Sequence, residues 1–451
     1  MISLEGVKKS EYSTIDEIRK RAFSLYEGVL PNYNVNKSKG LNELQVKYGS
    51  LLSVYKIALN GAIIGGVYLV QQSEFSWEVY KIFILPEKQG FGYGKQALLA
   101  VEKELSLAKE LVLSTPNVFK EKIEFYKSCG YEVTGSEVNA SGIELVTFSK
   151  KLNKVAITGL RPSAGGLHFG HYTGNVFPLI KYQNDYSCKL IFADLQLLNS
   201  KEYSRQETID NCKLMIKQMM VLGVDFNKVE ILLESDFKYD NLTDFMLLAD
   251  KCSLSRILRM PLFKQYKKQN LPIKTSFLLY PVLQAMDVHL TNASIVFSNY
   301  DNKACVEFIE EILRKIDCNW NVKLLTGKVP FLVGTDGRKM SKSANNCFLF
   351  ADDMQSVLKK ITKMKTDSSR ENASAVGTVE NSTVFNYLKV FATDVEYQKL
   401  CDEYSKGEIS DEKTKQILFE RVSCFLNDYN ARFNKITDSE VNEICLKYSI
   451  V

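Results

Sequence analysis

The chain has 451 residues, a formal net charge of +5, 45% hydrophobic and 25% charged residues. That length exceeds what one hydrophobic core supports, so two or three domains are expected, and the composition excludes a disordered or fibrous chain. No run of about 18 apolar residues occurs and MISLEGVKKSEYSTIDEIRKRAF lacks a signal-peptide apolar core, which excludes a helical membrane span and makes the cytoplasm the expected location. The charge permits an anionic partner without pointing to one. Ten cysteines without a CxxC pair read as reduced, packed thiols rather than a disulfide or zinc framework.

In chain order, an amphipathic helix is predicted from Tyr12 to Tyr26. Two alternating runs, LLSVYKIALN and GAIIGGVYLVQQ, meet at the Asn60-Gly61 hairpin signal. WEVYKIFILP follows and enters a Gly-rich turn that opens the helical stretch KQALLAVEKELSLAKE. The strand ELVLST, a helix around Glu121 to Ser128, and the runs YEVTG and GIELVTFSKKL close a unit of residues 1–150, read as an antiparallel sheet flanked by helices. Lys151 to Lys154 is a polar junction. Beyond it, VAITGL, CKLIFADL and KVEILLES alternate with helical stretches, the pattern of βαβ units and a parallel sheet over residues 155–370. The remainder, 371–451, is helical in texture, continuously so from about Glu380.

Two motifs carry the chemistry of the second half. RPSAGGLHFGHYTGN follows the strand VAITGL, placing backbone N–H groups and a helix start where phosphates can sit. His168 and His171 are three apart and share one face of the first turn, but no third ligand has metal-site spacing, so no metal site is assigned. GTDGRKMSKSANN sets Lys339 and Lys342 three apart in a mobile-looking Gly/Ser stretch, suited to the charge that builds on a pyrophosphate leaving group.

LHFGH resembles the HIGH motif, and KMSKS is the second motif of class I aminoacyl-tRNA synthetases. TGLRPS, IFADLQLL, SRILRMPLFK and LLYPVLQAMD are most similar to the tryptophanyl members of that class. The resemblance implies a Rossmann-like parallel α/β domain and a C-terminal helical region that reads the tRNA anticodon. By the same resemblance Arg161, Ser163, His168, Gly170, His171 and Asp301, with Lys339, Met340, Ser341, Lys342 and Ser343, bind ATP. His168, His171, Lys339 and Lys342 would be the catalytic set, with Mg²⁺ on the phosphates. Tyr280 would contact the substrate amino group, Gln284 and Asn302 would line its pocket, and Asp287 would accept the indole N–H. The expected partners are tryptophan, ATP and a tRNA, that for tryptophan, with a homodimer as the assembly. FSNYDN departs from the family's Val-Gly-Glu-Asp-Gln segment, keeping Asp301 but carrying Asn302 for Gln and Cys305 for a later His. Tyrosine therefore competes as the substrate. A paralogue making an adenylate for a non-translational product, and a non-catalytic binding module, remain as alternatives.

In the first half, VYKIFILPEKQGFGYGKQALLAVEKEL runs from a strand through Gln89-Gly90-Phe91-Gly92-Tyr93-Gly94 into a helix. Such a turn is either a tight connection or a cradle for a pyrophosphate, and no acidic residue follows as a dinucleotide fold would require. The stretch resembles the Gln/Arg-x-x-Gly-x-Gly/Ala loop of GNAT acyltransferases, and NVFKEKIEFYKSCGYE resembles that family's later block. The resemblance implies a mixed sheet with helices and acetyl-CoA bound by Ile84, Gln89, Gly90, Phe91, Gly92, Tyr93, Gly94, Lys95 and Asn117. Tyr126 becomes the candidate general acid and Glu78 the candidate base; core packing for the one and a surface strand position for the other are the competing readings. An acyltransferase guarding the synthetase against a toxic amino-acid analogue is one role for such a fusion.

Overall fold

The computed structural model describes residues 2–31, 33–35, 40–199, 204–342 and 344–450. The chain divides into two compact units, one of residues 1–154 with 313–321, the other of 155–312 with 322–451.

The first unit is built on a seven-stranded sheet, in the order β1-β2-β3-β4-β5-β7-β6. Its elements in chain order are β1 (Ile2–Gly6), α1 (Tyr12–Phe23), α2 (Leu41–Tyr48), β2 (Leu52–Leu59), β3 (Ala62–Gln71), β4 (Ser76–Ile84), α3 (Tyr93–Glu104), β5 (Glu110–Pro116), α4 (Lys120–Ser128), β6 (Glu132–Val138) and β7 (Glu144–Lys151). Asn60 and Gly61, with φ of 51° and 85°, form the expected hairpin turn between β2 and β3. The sheet is mixed, because β4 and β5 run parallel and pair over only Ser76–Glu78 and Glu110–Val112. Past Glu78 the pairing ends, β3 and β4 shift register at Tyr68/Leu69, and a gap opens beside Ile82–Ile84. Leu98, Val101, Leu111, Ile123 and Phe148 form the core under α3 and α4; Ile15, Leu44, Tyr68 and Phe83 form that under α1 and α2.

The second unit holds a five-stranded parallel sheet, ordered β10-β9-β8-β11-β12. Here β8 (Val155–Leu160) leads to α5 (Phe169–His171), a π-turn over Tyr172–Val176 and α6 (Phe177–Tyr182). Then come β9 (Ser187–Phe192), α7 (Arg205–Leu222), β10 (Val229–Leu233), α8 (Glu234–Tyr239), α9 (Leu242–Asp250), α10 (Leu254–Leu258), α11 (Pro261–Lys268) and α12 (Thr275–Thr291). The sheet finishes with β11 (Ile295–Phe297), α13 (Lys303–Arg314) and β12 (Lys323–Leu325). The chain winds outward from β8 through β9 to β10 and returns to the other side of β8 with β11. That reversal makes the carboxyl ends of β8 and β11 a topological switch point, the expected place for a ligand. The C-terminal helices are α14 (Met354–Thr362), α15 (Thr383–Phe391), α16 (Asp394–Ser405), α17 (Asp411–Phe433) and α18 (Asp438–Lys447). Phe169, fully buried at the start of α5, packs on Phe348, Phe350, Phe391 and Phe425, which ties the switch point to α15 and α17. No helix of the described residues is long and apolar enough to cross a membrane.

Candidate functional sites

A cavity of about 260 Å³ sits at the switch point. Gly159 and Leu160 of β8, Ile191 of β9 and Val296 and Phe297 of β11 form its floor. Arg161, His168, Gly170, His171, Tyr280, Gln284, Asp287, Asp301, Asn302, Lys339 and Met340 all line it. Residues far apart in sequence and singled out for one reaction thus face one space.

His168 caps α5 with extended backbone, and its Nδ1 accepts the His171 N–H at 3.2 Å. The His168 N–H reaches His171 Nδ1 at 3.4 Å, and the rings stack at 3.6 Å. With both Nδ1 atoms accepting, the neutral tautomer of each ring carries its proton on Nε2. Burial, then Lys342, lowers His168 to about 4, and burial, the His168 ring and Lys342 hold His171 well below its ordinary value, so both rings are neutral. Two neutral N–H donors on one face suit phosphate oxygens. Gly170 is required there, because a Cβ would stand 2.9 Å from His168 Cε1 and 3.0 Å from Met340 Sδ.

The KMSKS segment has an internal scaffold the sequence reading of a mobile stretch did not anticipate. Buried Asn346 donates to Asp336 Oδ1 at 2.9 Å and to the Lys339 carbonyl at 3.0 Å, and accepts the Ser341 N–H at 2.8 Å. Lys342 crosses to the first motif, donating to the carbonyls of Ala164 (2.8 Å) and Gly166 (2.6 Å) and to Ser163 Oγ (3.1 Å). The SAGG turn therefore supplies the acceptors for the second motif's lysine. Burial lowers Lys342 to about 8, with Arg161 adding to the effect. Lys339 pairs with Asp301 at 2.5 Å while remaining largely exposed. Ser163, Ser341 and Lys342 are not among the cavity's lining residues, and Ser343 lies outside the described residues.

At the other end of the cavity, Cys305 donates its thiol to Gln284 Oε1 at 2.6 Å, and Gln284 Nε2 donates to Tyr280 Oη at 3.0 Å. Burial pushes the Cys305 thiol up to about 12, so it is a donor and not a nucleophile. Asn302 donates to Ser298 Oγ at 2.7 Å. Asp287 has a charged partner of its own: Lys238 Nζ lies 2.7 Å from its Oδ1 and 2.6 Å from Glu234 Oε1. Sequence reasoning missed Glu234 and Lys238. The signal was an acid at the carboxyl end of β10 followed by a lysine at i+4. Among the described residues no three His, Cys, Asp or Glu side chains gather as a metal-binding group.

The gap beside β4 in the first unit forms a second cavity, of about 410 Å³. Ile84, Gln89, Gly90, Gly92, Tyr93, Gly94 and Tyr126 line it with Phe23, Phe83 and Lys122. Gly90 and Gly92 have φ of 81° and 77°, and open space surrounds the position a Cβ would take in each. The first-turn N–H groups of α3 lack helical partners, so this cradle fits a pyrophosphate. Gln89 ties the turn to the strand by donating to the Ile84 carbonyl at 2.8 Å. Tyr126 is both core residue and cavity wall, packed on Tyr131 and Phe148 and raised to about 12 by burial. Phe91, Lys95 and Asn117 are not among the cavity's lining residues; Asn117 instead donates to Glu144 Oε2 at 2.6 Å. Glu78 also lies off this cavity, half-buried at the last β4–β5 pair, raised by burial and accepting Gln72 Nε2 at 2.7 Å.

Comparison with known proteins assigns a family to each part of the chain. The family model for tRNA synthetases class I (W and Y) matches residues 150–427, and that for the acetyltransferase (GNAT) domain matches residues 42–152. A tryptophan–tRNA ligase of Streptococcus agalactiae is 32% identical over 300 residues, spanning 62% of this chain and 86% of the relative. One of Borreliella burgdorferi is 32% identical over 290 residues, 60% of this chain and 81% of the relative. The tryptophanyl-tRNA synthetase structure of Mycoplasma pneumoniae shares the fold with a TM-score of 0.56 at 23% identity, covering 66% of this chain and 92% of its own. The chain belongs to the class I tRNA synthetase family of the W and Y type, a family of aminoacyl-tRNA ligases, and carries a GNAT acetyltransferase domain toward its N-terminus.

Proposed function

We propose that the second unit activates tryptophan with ATP and transfers it to the tRNA for tryptophan. The observation that carries this reading is the single cavity lined by His168, His171, Arg161 and Lys339 at one end and by Tyr280, Gln284 and Asp287 at the other. In the activation step an oxygen of the amino-acid carboxylate attacks the α-phosphorus of ATP. The bond to the α–β bridging oxygen breaks, and pyrophosphate leaves with that electron pair. Mg²⁺ accompanies the phosphates as part of the substrate. His168 and His171 donate Nε2–H to phosphate oxygens, with Gly170 and Met340 fixing their placement and Arg161 and Asp301 completing the ATP set. Lys339 and Lys342 stabilise the departing pyrophosphate, Lys342 by exchanging its present carbonyl acceptors around Ser163 for phosphate oxygens. No protein nucleophile is needed; positioning and charge do the chemistry. Tyr280, ordered through Gln284 and Cys305, meets the substrate ammonium, and Asp287 takes the ring N–H.

For the first unit the reading is acyl transfer from acetyl-CoA. An amine attacks the thioester carbonyl, the C–S bond breaks, and Tyr126 gives its phenolic proton to the leaving thiolate. Glu78, directly or through water, takes the amine proton. The working domain boundaries are 1–150, 155–370 and 371–451, and the site of action is the cytoplasm. A homodimer is the proposed assembly, and Leu242, Met246, Leu254, Leu271 and Leu279 are exposed apolar side chains that it could cover.

Amino-acid-dependent ATP–pyrophosphate exchange tests the central reading. Tryptophan-dependent exchange is expected. Exchange with tyrosine alone would reassign the pocket, and none with any amino acid would leave a binding module.

A further inference from the structure

Behind the amino-acid end of the cavity lies a charge cluster that belongs to none of the motifs. Lys238 Nζ donates to Glu234 Oε1 at 2.6 Å and to the Leu283 carbonyl at 2.8 Å, and forms an ion pair with Asp287 Oδ1 at 2.7 Å. The side chains of Lys238, Glu234 and Asp287 are 4%, 0% and 9% exposed. Gln196, which lines the cavity, donates to the same Glu234 oxygen at 3.2 Å. Two carboxylates share one ammonium, so with all three ionised the cluster carries a net charge of −1 beside Val288, Val296, Val306 and Ile309. An excess buried charge is costly unless a donor answers it. Asp287 lines the cavity, and its Oδ2 takes no donor among the described residues.

We propose that Lys238 is a positioning residue that sets amino-acid specificity. By holding Oδ1 of Asp287 it leaves Oδ2 as a lone anionic acceptor for a ring N–H or O–H, while Glu234 keeps the lysine from cancelling the cluster's charge. A side chain with such a donor is accepted, and an isostere without one leaves the carboxylate unanswered. The inference rests on the cavity being the amino-acid pocket. The titratable groups facing Asp287 are Lys238 and Glu234 from α8, Tyr280 on its own helix and Cys305 from α13. Burial and Glu234 raise the Asp287 carboxyl while Lys238 opposes them. Amino-acid affinity therefore falls on the acid side as Asp287 takes up a proton.

The test is pyrophosphate exchange by the full chain, read as KM for amino acid, KM for ATP and kcat across pH 5.5–8.5. The substrate is whichever of tryptophan and tyrosine the wild type uses, and the donor-free analogue is 3-benzothienylalanine or phenylalanine accordingly. Wild-type inactivity with both would sink the pocket reading itself, not the role of Lys238 within it. In Lys238→Met the amino-acid KM is expected to rise at least tenfold with ATP KM unchanged, the acid limb to move to higher pH, and discrimination against the analogue to drop at least tenfold. Lys238→Arg restores most of each. If Lys238→Met folds and keeps wild-type KM, limb and discrimination, the proposal is overturned. Should that variant fail to fold, Glu234→Gln decides. With the lysine's charge left to Asp287, the acid limb moves to lower pH, and an unmoved limb overturns the proposal.

Discussion

Each unit carries a glycine-rich turn between a strand and a helix, and the two are built on opposite physics. The turn before α3 is bare backbone: Gly90 and Gly92 adopt left-handed φ and their missing side chains leave open space. The turn into α5 is crowded: a Cβ at Gly166 would collide with Gln218 Oε1, the carbonyls of Ala164 and Gly166 are capped by Lys342, and Gly170, inside α5 itself, is hemmed by His168 and Met340. Glycine in the first leaves space open; in the second it leaves space for the protein's own histidine and methionine side chains. In the proposed reading the first turn offers N–H groups that are present whatever the side chains, and the second offers side-chain donors that substitution removes one at a time.

The largest effect follows from that dependence. His168→Ala and Lys342→Ala are each expected to lower the kcat of pyrophosphate exchange by about 10²–10³-fold, the usual loss of one preorganised donor to developing charge. Release of free CoA thiol from acetyl-CoA by the first unit should stay at the wild-type rate. A parallel loss there would show that the two sites are one machine.

The motifs were legible because each is written in a few consecutive residues: Asn60-Gly61, the two histidines at i and i+3, and the lysines of KMSKS. What was not legible depends on pairing across the fold. The β4–β5 pair is parallel, so the sheet is mixed as the family resemblance implied, whereas the strand pattern alone read as antiparallel because nothing in WEVYKIFILP or ELVLST marks their relative direction. Asn346 drew no role from the sequence, yet its three hydrogen bonds organise the segment before it. Glu234 and Lys238 gain meaning only when α8 lies against α12. Cys305 was read as a lost histidine, whereas it works as a thiol donor that fixes the Gln284 amide.

A smaller effect sharpens the comparison from the other side. Tyr126→Phe is expected to slow acyl transfer by about 10²-fold, the lower range for a lost general acid, and to leave exchange untouched. Full CoA release by the variant would return Tyr126 to core packing alone, the role its contacts with Tyr131 and Phe148 already describe.

The two glycines themselves come next. At Gly92 an added Cβ meets no atom, so Gly92→Ala pays only for φ of 77°, about 1–2 kcal/mol of backbone strain. The acetyl-CoA KM should rise severalfold with little change in kcat. Gly170→Ala has the opposite signature, because the new methyl must displace His168 or Met340 and so acts on the kcat of exchange. If Gly170→Ala raises only ATP KM, the crowding is not positioning the histidines.

The smallest effect is on stability, and its sign differs between the sites. His168 titrates near 6.5 in the unfolded chain and at about 4 when folded, because burial and Lys342 disfavour its charged form. Between those values the unfolded ring holds a proton that the folded ring refuses. Its contribution is complete above pH 6.5 and is lost as pH falls toward 4. Tyr126 behaves oppositely, since burial raises it from 10 to about 12 and its contribution fades as pH rises through that window. His168→Asn keeps an N-cap acceptor for the His171 N–H while removing the titrating ring. One pH unit below 6.5 the withheld proton amounts to about 1 kcal/mol, or about 2–4 °C in a domain of this size. The wild-type Tm should thus fall that much further than the variant's between pH 7.5 and 5.5, measured by differential scanning calorimetry on the second unit's transition. Equal slopes would mean that His168 is solvated enough to take its proton in the folded state, and neutral N–H donation to phosphate would then lose its physical basis.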